Sequence, residues 1–242
     1  MATVDVDIKK LLEAGAHFGH KTSRWHPKMA PFIHSKRNGG HIIDLSKTVE
    51  GMERALDFVA KIASEGKPVL FVGTKRQAQD IVREAAEEAK MPFVTERWLG
   101  GMLTNWPTIS GRIKHLHDIE TKMESGELAK KYSKLEIQRF QEEIDEMNRI
   151  YGGIKNMAGR PGVVFVFDIV NDVNAVREAR KLGLPIVALV DTNADPTLID
   201  FPIPCNDDAI KTIQLVTEYL KQAITIGKSK SKDSADKEEA KK

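Results

Sequence analysis

Three short stretches are apolar at nearly every position and end on a polar or glycine turn: Val69–Gly73, Val163–Asp168 and Ile186–Asp191. Continuous apolar runs rich in β-branched and aromatic residues predict strands buried on both faces, hence a parallel sheet. Between them the apolar positions recur at helical spacing. Positions 45, 49, 52, 56, 59 and 62 form one stripe over Leu45–Ala63. Arg76–Lys90 reads as helix up to Pro92, and Val173–Leu182 stops at Gly183, where a left-handed cap is predicted. Asp207–Ile226 repeats the stripe at 210, 213, 216, 220 and 224, and Phe93–Trp98 and Phe201–Ile203 read as shorter strands. This alternation predicts an α/β fold: a three-layer Rossmann- or flavodoxin-like domain with a mainly parallel sheet.

Residues 107–151 break the alternation. Pro107 starts a helix with apolar positions 109, 113, 116, 119 and 123, and Ser125-Gly126 interrupts it. A second run carries Tyr132, Leu135, Phe140, Ile144, Met147 and Tyr151. The pattern predicts an antiparallel helical hairpin, a coiled coil, inserted into a domain made of residues 1–106 and 152–227. Residues 228–242 contain only Lys, Ser, Asp, Glu and Ala, and predict a disordered tail.

The 242 residues carry 37 Lys and Arg against 35 Asp and Glu. Removing the tail's six Lys and four acids leaves 31 of each sign in residues 1–227. Any electrostatic function must therefore come from where the charges sit. One cysteine excludes a disulfide scaffold and a cysteine-based zinc finger, and fits a reducing compartment. No apolar run approaches the roughly 18–20 residues that span a bilayer, and the N-terminus lacks the layout of a secretory signal. A cytoplasmic protein is expected.

A doubly wound sheet invites a nucleotide or sugar-phosphate enzyme working at the strand ends near Gly73, Asp168 and Asp191. The phosphate loops such chemistry needs are missing. No G-x-G-x-x-G follows a strand, and the Gly-Lys-Ser at 227–229 has Gln222 at the first glycine position of a P-loop. Gly73-Thr74-Lys75 follows a strand and either holds a phosphate or caps a helix. His17 and His20, folded near Asp191, Asp195, Asp207 and Asp208, could bind a divalent ion, although turns and a helix cap explain the acids as well. No G-x-S-x-G elbow is present. Catalysis is not expected, and no cofactor is required.

Residues 17–41, HFGHKTSRWHPKMAPFIHSKRNGGH, hold five Lys and Arg, five of the seven His and no acid. Pro27, Pro31, Gly39 and Gly40 exclude a regular helix, so the segment reads as an ordered, extended loop. Cations that neutralise phosphates, interleaved with planar side chains that stack, suit RNA. A second patch is Arg97-Trp-Leu-Gly-Gly-Met-Leu-Thr-Asn-Trp106. There Gly100-Gly101 lets the backbone approach a phosphate, and Arg97, Thr104 and Asn105 supply donors. Trp98 and Trp106 serve equally well as anchors for the hairpin base. Lys75 and Arg76 extend the surface. A protein-binding scaffold whose basic loop is incidental is the remaining alternative, and salt dependence separates it from RNA binding.

HFGHKTSRWHPKM followed by FIHSKRNGGHIIDLSKT resembles the N-terminal signature of the universal second protein of the small ribosomal subunit, in its bacterial form. PVLFVGTKRQA, RWLGGMLTNW, DTNADP and FPIPCNDDAI resemble that family's later blocks, in the same order. His26, Phe32, Phe201 and Cys205 depart from residues common in relatives, and none of these removes a cation. The resemblance spans roughly residues 4–226. It implies a non-enzymatic constituent of the small subunit that binds its ribosomal RNA, sits among neighbouring small-subunit proteins, and helps to dock the OB-repeat protein that captures messenger RNA. It places the chain on the ribosome in the cytoplasm, with no membrane and no small-molecule substrate. Carried onto this chain, the RNA-facing candidates are Lys21, Arg24, Trp25, Lys28, Lys36, Arg37 and Asn38, then Lys75, Arg76, Arg97, Thr104 and Asn105. The candidate metal ligands are His17, His20, Asp191 and Asp207.

Overall fold

The computed structural model describes residues 4–239. Five parallel strands form the central sheet: β4 (Val69–Val72), β5 (Phe93–Val94), β6 (Val163–Val166), β7 (Ile186–Val190) and β8 (Phe201–Pro204), in the order β5-β4-β6-β7-β8. Their side chains alternate between two buried layers, which explains the unbroken apolar runs. Val69, Phe71, Val163, Phe165, Val187 and Leu189 face one core with α1 (Ile8–Ala14), α2 (Leu45–Ser64), α3 (Gln79–Ala89) and α8 (Ile210–Glu239). Leu70, Val72, Val164, Val166, Ala188 and Val190 face the other, with α4 (Trp106–Glu124), α5 (Glu127–Lys131), α6 (Lys134–Tyr151) and α7 (Val173–Lys181). The three-layer α/β expectation is met. Gly183 adopts φ +66° after α7, as its capping role requires.

Four expectations change. Residues 18–43 are not an extended loop but an antiparallel sheet of β1 (Phe18–Lys21), β2 (Ile33–Arg37) and β3 (Gly40–Ile43), ordered β1-β3-β2. Asn38 and Gly39, at φ +50° and +76°, make the tight turn between β2 and β3. An Asn-Gly pair favours this two-residue hairpin because its twist matches that of the strands. The strand at Phe93 ends at Val94, and residues 95–105 form the loop that leads into α4. The region expected to be a hairpin holds three helices, with α4 and α6 in contact through Asn148, which donates to Glu120 at 2.8 Å, and through His115 and Glu143 at 3.2 Å.

The last helix continues to Glu239 in place of the disordered tail expected from residue 228. Gly227 lies so close to α2 that a Cβ there would stand 2.3 Å from the Ala60 carbonyl oxygen. Lys228 Nζ donates to the Ala89 carbonyl at 2.6 Å, tying the helix to the end of α3. Once anchored, a helix elongates without a new nucleation cost, and Lys, Ala and Glu are good formers. Residues 240–242 of that expected tail lie outside the described residues.

Candidate nucleic-acid interface and the acidic crevice

Parallel α/β sheets bind ligands at the carboxyl ends of their strands. Here those ends are occupied by the protein's own side chains. Lys75, after β4, places Nζ 2.7 Å from Asp207 Oδ1, 2.7 Å from Asp208 Oδ1 and 3.1 Å from Asp168 Oδ2. Thr74 donates its hydroxyl to Asp172 at 2.6 Å and its N–H at 3.1 Å. Asp168 Oδ1 accepts from Val170 N and Asn171 N, in the turn that leads into α7. A phosphate at Gly73-Thr74-Lys75 would meet carboxylates, so this turn is a structural clasp rather than a phosphate loop. Lys75 is a correction to the RNA-facing set: its side chain is only 16% exposed and committed to three acids.

Burial dominates the titration of two acids in this cluster. It pushes Asp207 up to about 7, helped by Asp168 and Asp191 and opposed by Lys75. Asp172 is raised to about 6, again chiefly by burial, against the hydrogen bonds from Thr74. Burial alone would lower Lys75, but Asp207, Asp208 and Asp168 outweigh it and hold the ammonium charged.

The small antiparallel sheet closes over the crevice. His20 lies with Nδ1 3.0 Å from Asp191 Oδ2 and Nε2 3.4 Å from Asp208 Oδ2, and its N–H donates to Thr192 Oγ1 at 2.9 Å. Hydrogen bonding to Asp191 raises the His20 pKa despite its burial. Gly19 is required here, because a Cβ would stand 2.6 Å from Thr192 Cγ2. His26 N donates to the Thr192 carbonyl at 2.7 Å. Lys28 Nζ reaches Asp195 Oδ2 and Thr197 Oγ1, both at 2.9 Å. Lys28 and Thr197 hold Asp195 at about 2 against the opposing effect of burial. His20, Asp191, Asp207 and Asp208 offer ligand atoms within 4.8 Å of one another. One imidazole and three carboxylates are a donor set that suits a divalent ion. His17 is not among them: its ring packs on Phe18, 4.0 Å between centroids.

The second patch is also turned inward. Glu178, on α7, accepts five hydrogen bonds from the loop before α4. They come from Trp98 Nε1 (3.1 Å), Gly101 N (2.7 Å), Leu103 N (3.0 Å), Thr104 N (3.0 Å) and Thr104 Oγ1 (2.9 Å). Burial would raise the Glu178 pKa, yet these donors hold it below the usual carboxylate range. The loop is an anion cradle, and its anion is internal. Thr104 is therefore satisfied within the chain, and Trp98, 7% exposed, is an anchor. Asn105 stays exposed at the start of α4, where its Oδ1 accepts from Thr108, and Arg97 and Arg76 are exposed.

Cations outside any described ion pair remain on the small sheet and in the turn after β1. Lys21, Arg24, Lys36 and Arg37 are exposed, and none makes an ion pair with a described carboxylate. Lys21 and Arg37 both pair in register with Gly40, so they share one face at the hairpin end. Lys36 pairs with His41 on the opposite face, where its Nζ lies 5.7 Å from the Trp25 ring centroid. Trp25, 36% exposed, leans on the buried His41 ring at 5.3 Å, so its stacking surface is already partly used. Asn38 shapes the turn and is exposed beside the cations. Sequence reasoning missed Asp168, Asp172 and Glu178 as partners, because nothing local in a helix or turn says which distant donor it will meet.

An α/β domain whose strand-end crevice is filled by its own ion pairs, and which carries a group of cations without described carboxylate partners on an appended small sheet and the turn beside it, is built to bind a macromolecule rather than to turn over a small one. The family model for ribosomal protein S2 matches residues 11–227, and the chain belongs to that family. It is 50% identical over 223 residues to the small ribosomal subunit protein uS2 of Coprothermobacter proteolyticus, covering 92% of this chain and 83% of that one. The uS2 protein of Chloroflexus aggregans is 48% identical over 229 residues, 95% and 96% of the two chains. That of a Roseiflexus species is 47% identical over 225 residues, 93% and 86%. Among the described residues no helix is long and apolar enough to cross a membrane.

Proposed function

We propose that the chain, a non-enzymatic structural constituent of the small ribosomal subunit by family, grips ribosomal RNA through the β1–β3 sheet. The observation that carries this is that Lys21, Arg24, Lys36 and Arg37 have no carboxylate partner among the described residues, in a protein that pairs Lys28 and Lys75 closely. Cations outside an ion pair meet phosphates without first giving up a carboxylate, and Lys21 and Arg37, on one face of the sheet, orient the protein on folded RNA. Arg76, Arg97 and Asn105 are secondary contacts. Asn38 serves by holding the turn.

The α4–α6 segment supplies contact with neighbouring proteins and helps to dock the OB-repeat protein that captures messenger RNA. Tyr132 and Leu135, 41% and 60% exposed at the junction of α5 and α6, support protein contact on this segment. The role needs no cofactor, and a divalent ion at His20 would brace the sheet against the crevice. The protein then resides on ribosomes in the cytoplasm.

The test is reconstitution of the small subunit with a Lys21→Glu/Arg37→Glu variant. Occupancy should fall while the melting temperature of the free protein holds, and RNA affinity should lose part of its salt dependence. Normal occupancy and an unchanged salt slope would refute the RNA role.

A further inference from the structure

A cleft of about 970 Å³ lies between α3, β5 and the end of α6, formed by residues that neither the β1–β3 sheet nor the acidic crevice uses. Its floor is apolar, from Met91, Pro92 and Phe93 with Met157. Its rim is charged. Arg83 is neutralised by Glu96 at 2.9 Å, whereas Lys90 and Arg149 have no ion-pair partner among the described residues. The cleft therefore presents apolar surface beside two unsatisfied cations.

β5 is the edge strand of the sheet. Its edge is covered where the chain returns after α6, since a Cβ on Gly153 would stand 2.2 Å from the Phe93 carbonyl oxygen. An occupant cannot pair there as a sixth strand and must enter by its side chains. The apolar floor gives a sugar–phosphate chain nothing to bind, so it is the floor and not the rim charge that disfavours RNA here.

We propose that this cleft docks an extended segment of a neighbouring small-subunit protein, apolar at its centre with carboxylates placed to meet Lys90 and Arg149. Apolar burial supplies the affinity, and the two cations set register and exclude basic segments. The inference rests on residence in the subunit, which family membership supplies, and not on RNA contact by the β1–β3 sheet.

A photoreactive benzoylphenylalanine placed at Glu87 in the full chain, assembled into subunits in cells and irradiated, tests it. The expected product is one dominant protein crosslink mapping to an acidic, apolar segment. Its yield should drop about tenfold or more in K90E/R149E, and to a lesser extent in K90Q/R149Q, with subunit occupancy unchanged. A parallel probe at Arg37 reports on RNA. Three outcomes overturn the proposal: crosslinks to RNA alone, a protein crosslink indifferent to both charge variants, or no crosslink at Glu87 while the Arg37 probe labels RNA. A retained Glu87 crosslink with no RNA label at Arg37 supports the cleft and sinks only the RNA reading.

Discussion

Lys75 and Arg37 are both cations at the end of a strand, and the fold uses them in opposite ways. Lys75 lies in the crevice, three carboxylate oxygens around its ammonium, while Arg37 lies at a hairpin end with no described acid beside it. Burial makes the difference. A charge taken out of water must be paired, and once paired it belongs to the fold, whereas an exposed cation costs little to leave unpaired and remains available to a partner. Local sequence does not separate the two, since Thr-Lys-Arg at 74–76 and Ser-Lys-Arg at 35–37 read almost alike.

That contrast can be broken at several points. The largest effect is expected for Lys75→Met, which leaves Asp168, Asp207 and Asp208 crowded without their cation. Loss of one partner from a buried ionic cluster costs about 3–5 kcal/mol, which a urea titration reads directly. An unchanged midpoint would show that the cluster is not structural.

Glu178→Ala follows, because it strips one acceptor from five donors. We expect a loss of about 2–3 kcal/mol and faster amide exchange across residues 101–104. Unaltered exchange would mean that the loop is held by its apolar anchors alone.

The crevice also makes stability depend on pH. Asp207 at about 7 and Asp172 at about 6 hold protons in the folded state that an unfolded Asp, near 3.8, has already released. Their contribution is therefore full below about 4 and is lost as pH rises through 6 and 7. The raised His20 pKa works in the same direction, its contribution fading as pH rises above 6.5. The unfolding free energy should fall between pH 5 and 8, by at most ~1.4 kcal/mol per pH unit for each proton held. Asp207→Asn should flatten that slope, and a profile rising over the same range would contradict the assignment. Asp195, depressed to about 2, acts only as pH falls from 3.8 through that value, outside this window.

The smallest effect on stability belongs to Arg37→Glu, within ~0.5 kcal/mol, since an exposed side chain with no ion-pair partner among the described residues leaves nothing behind. Its effect appears on RNA instead. Affinity should fall about tenfold and the salt slope should shrink by about one phosphate contact. A large drop in melting temperature would place Arg37 in the fold and end the contrast with Lys75.

The parallel sheet was legible because Val69–Val72, Val163–Val166 and Ile186–Val190 are apolar on both faces, a pattern that admits few other structures. The small sheet is less legible: Asn38-Gly39 is a hairpin signal, but Pro27, Pro31 and the crowd of cations fit a loop as well. The basic character of residues 17–41 was visible. The inward commitment of Lys75 and Thr104 was not, since it depends on Asp207 and Glu178, distant in the chain. The tail departs from its composition in the other direction. Its composition suits a solvated coil, but contact of Gly227 with Ala60 carries the helix onward.

The order of apolar and polar residues by itself determined the layers, the parallel strands and the stretch rich in cations, because each follows from periodicity and composition over neighbouring positions. Which cations stay free was decided by the tertiary structure alone. Desolvation and pairing are properties of the groups that folding brings within a few ångströms, and a carboxylate such as Asp207 or Glu178 selects its partner only when the sheet has closed around it.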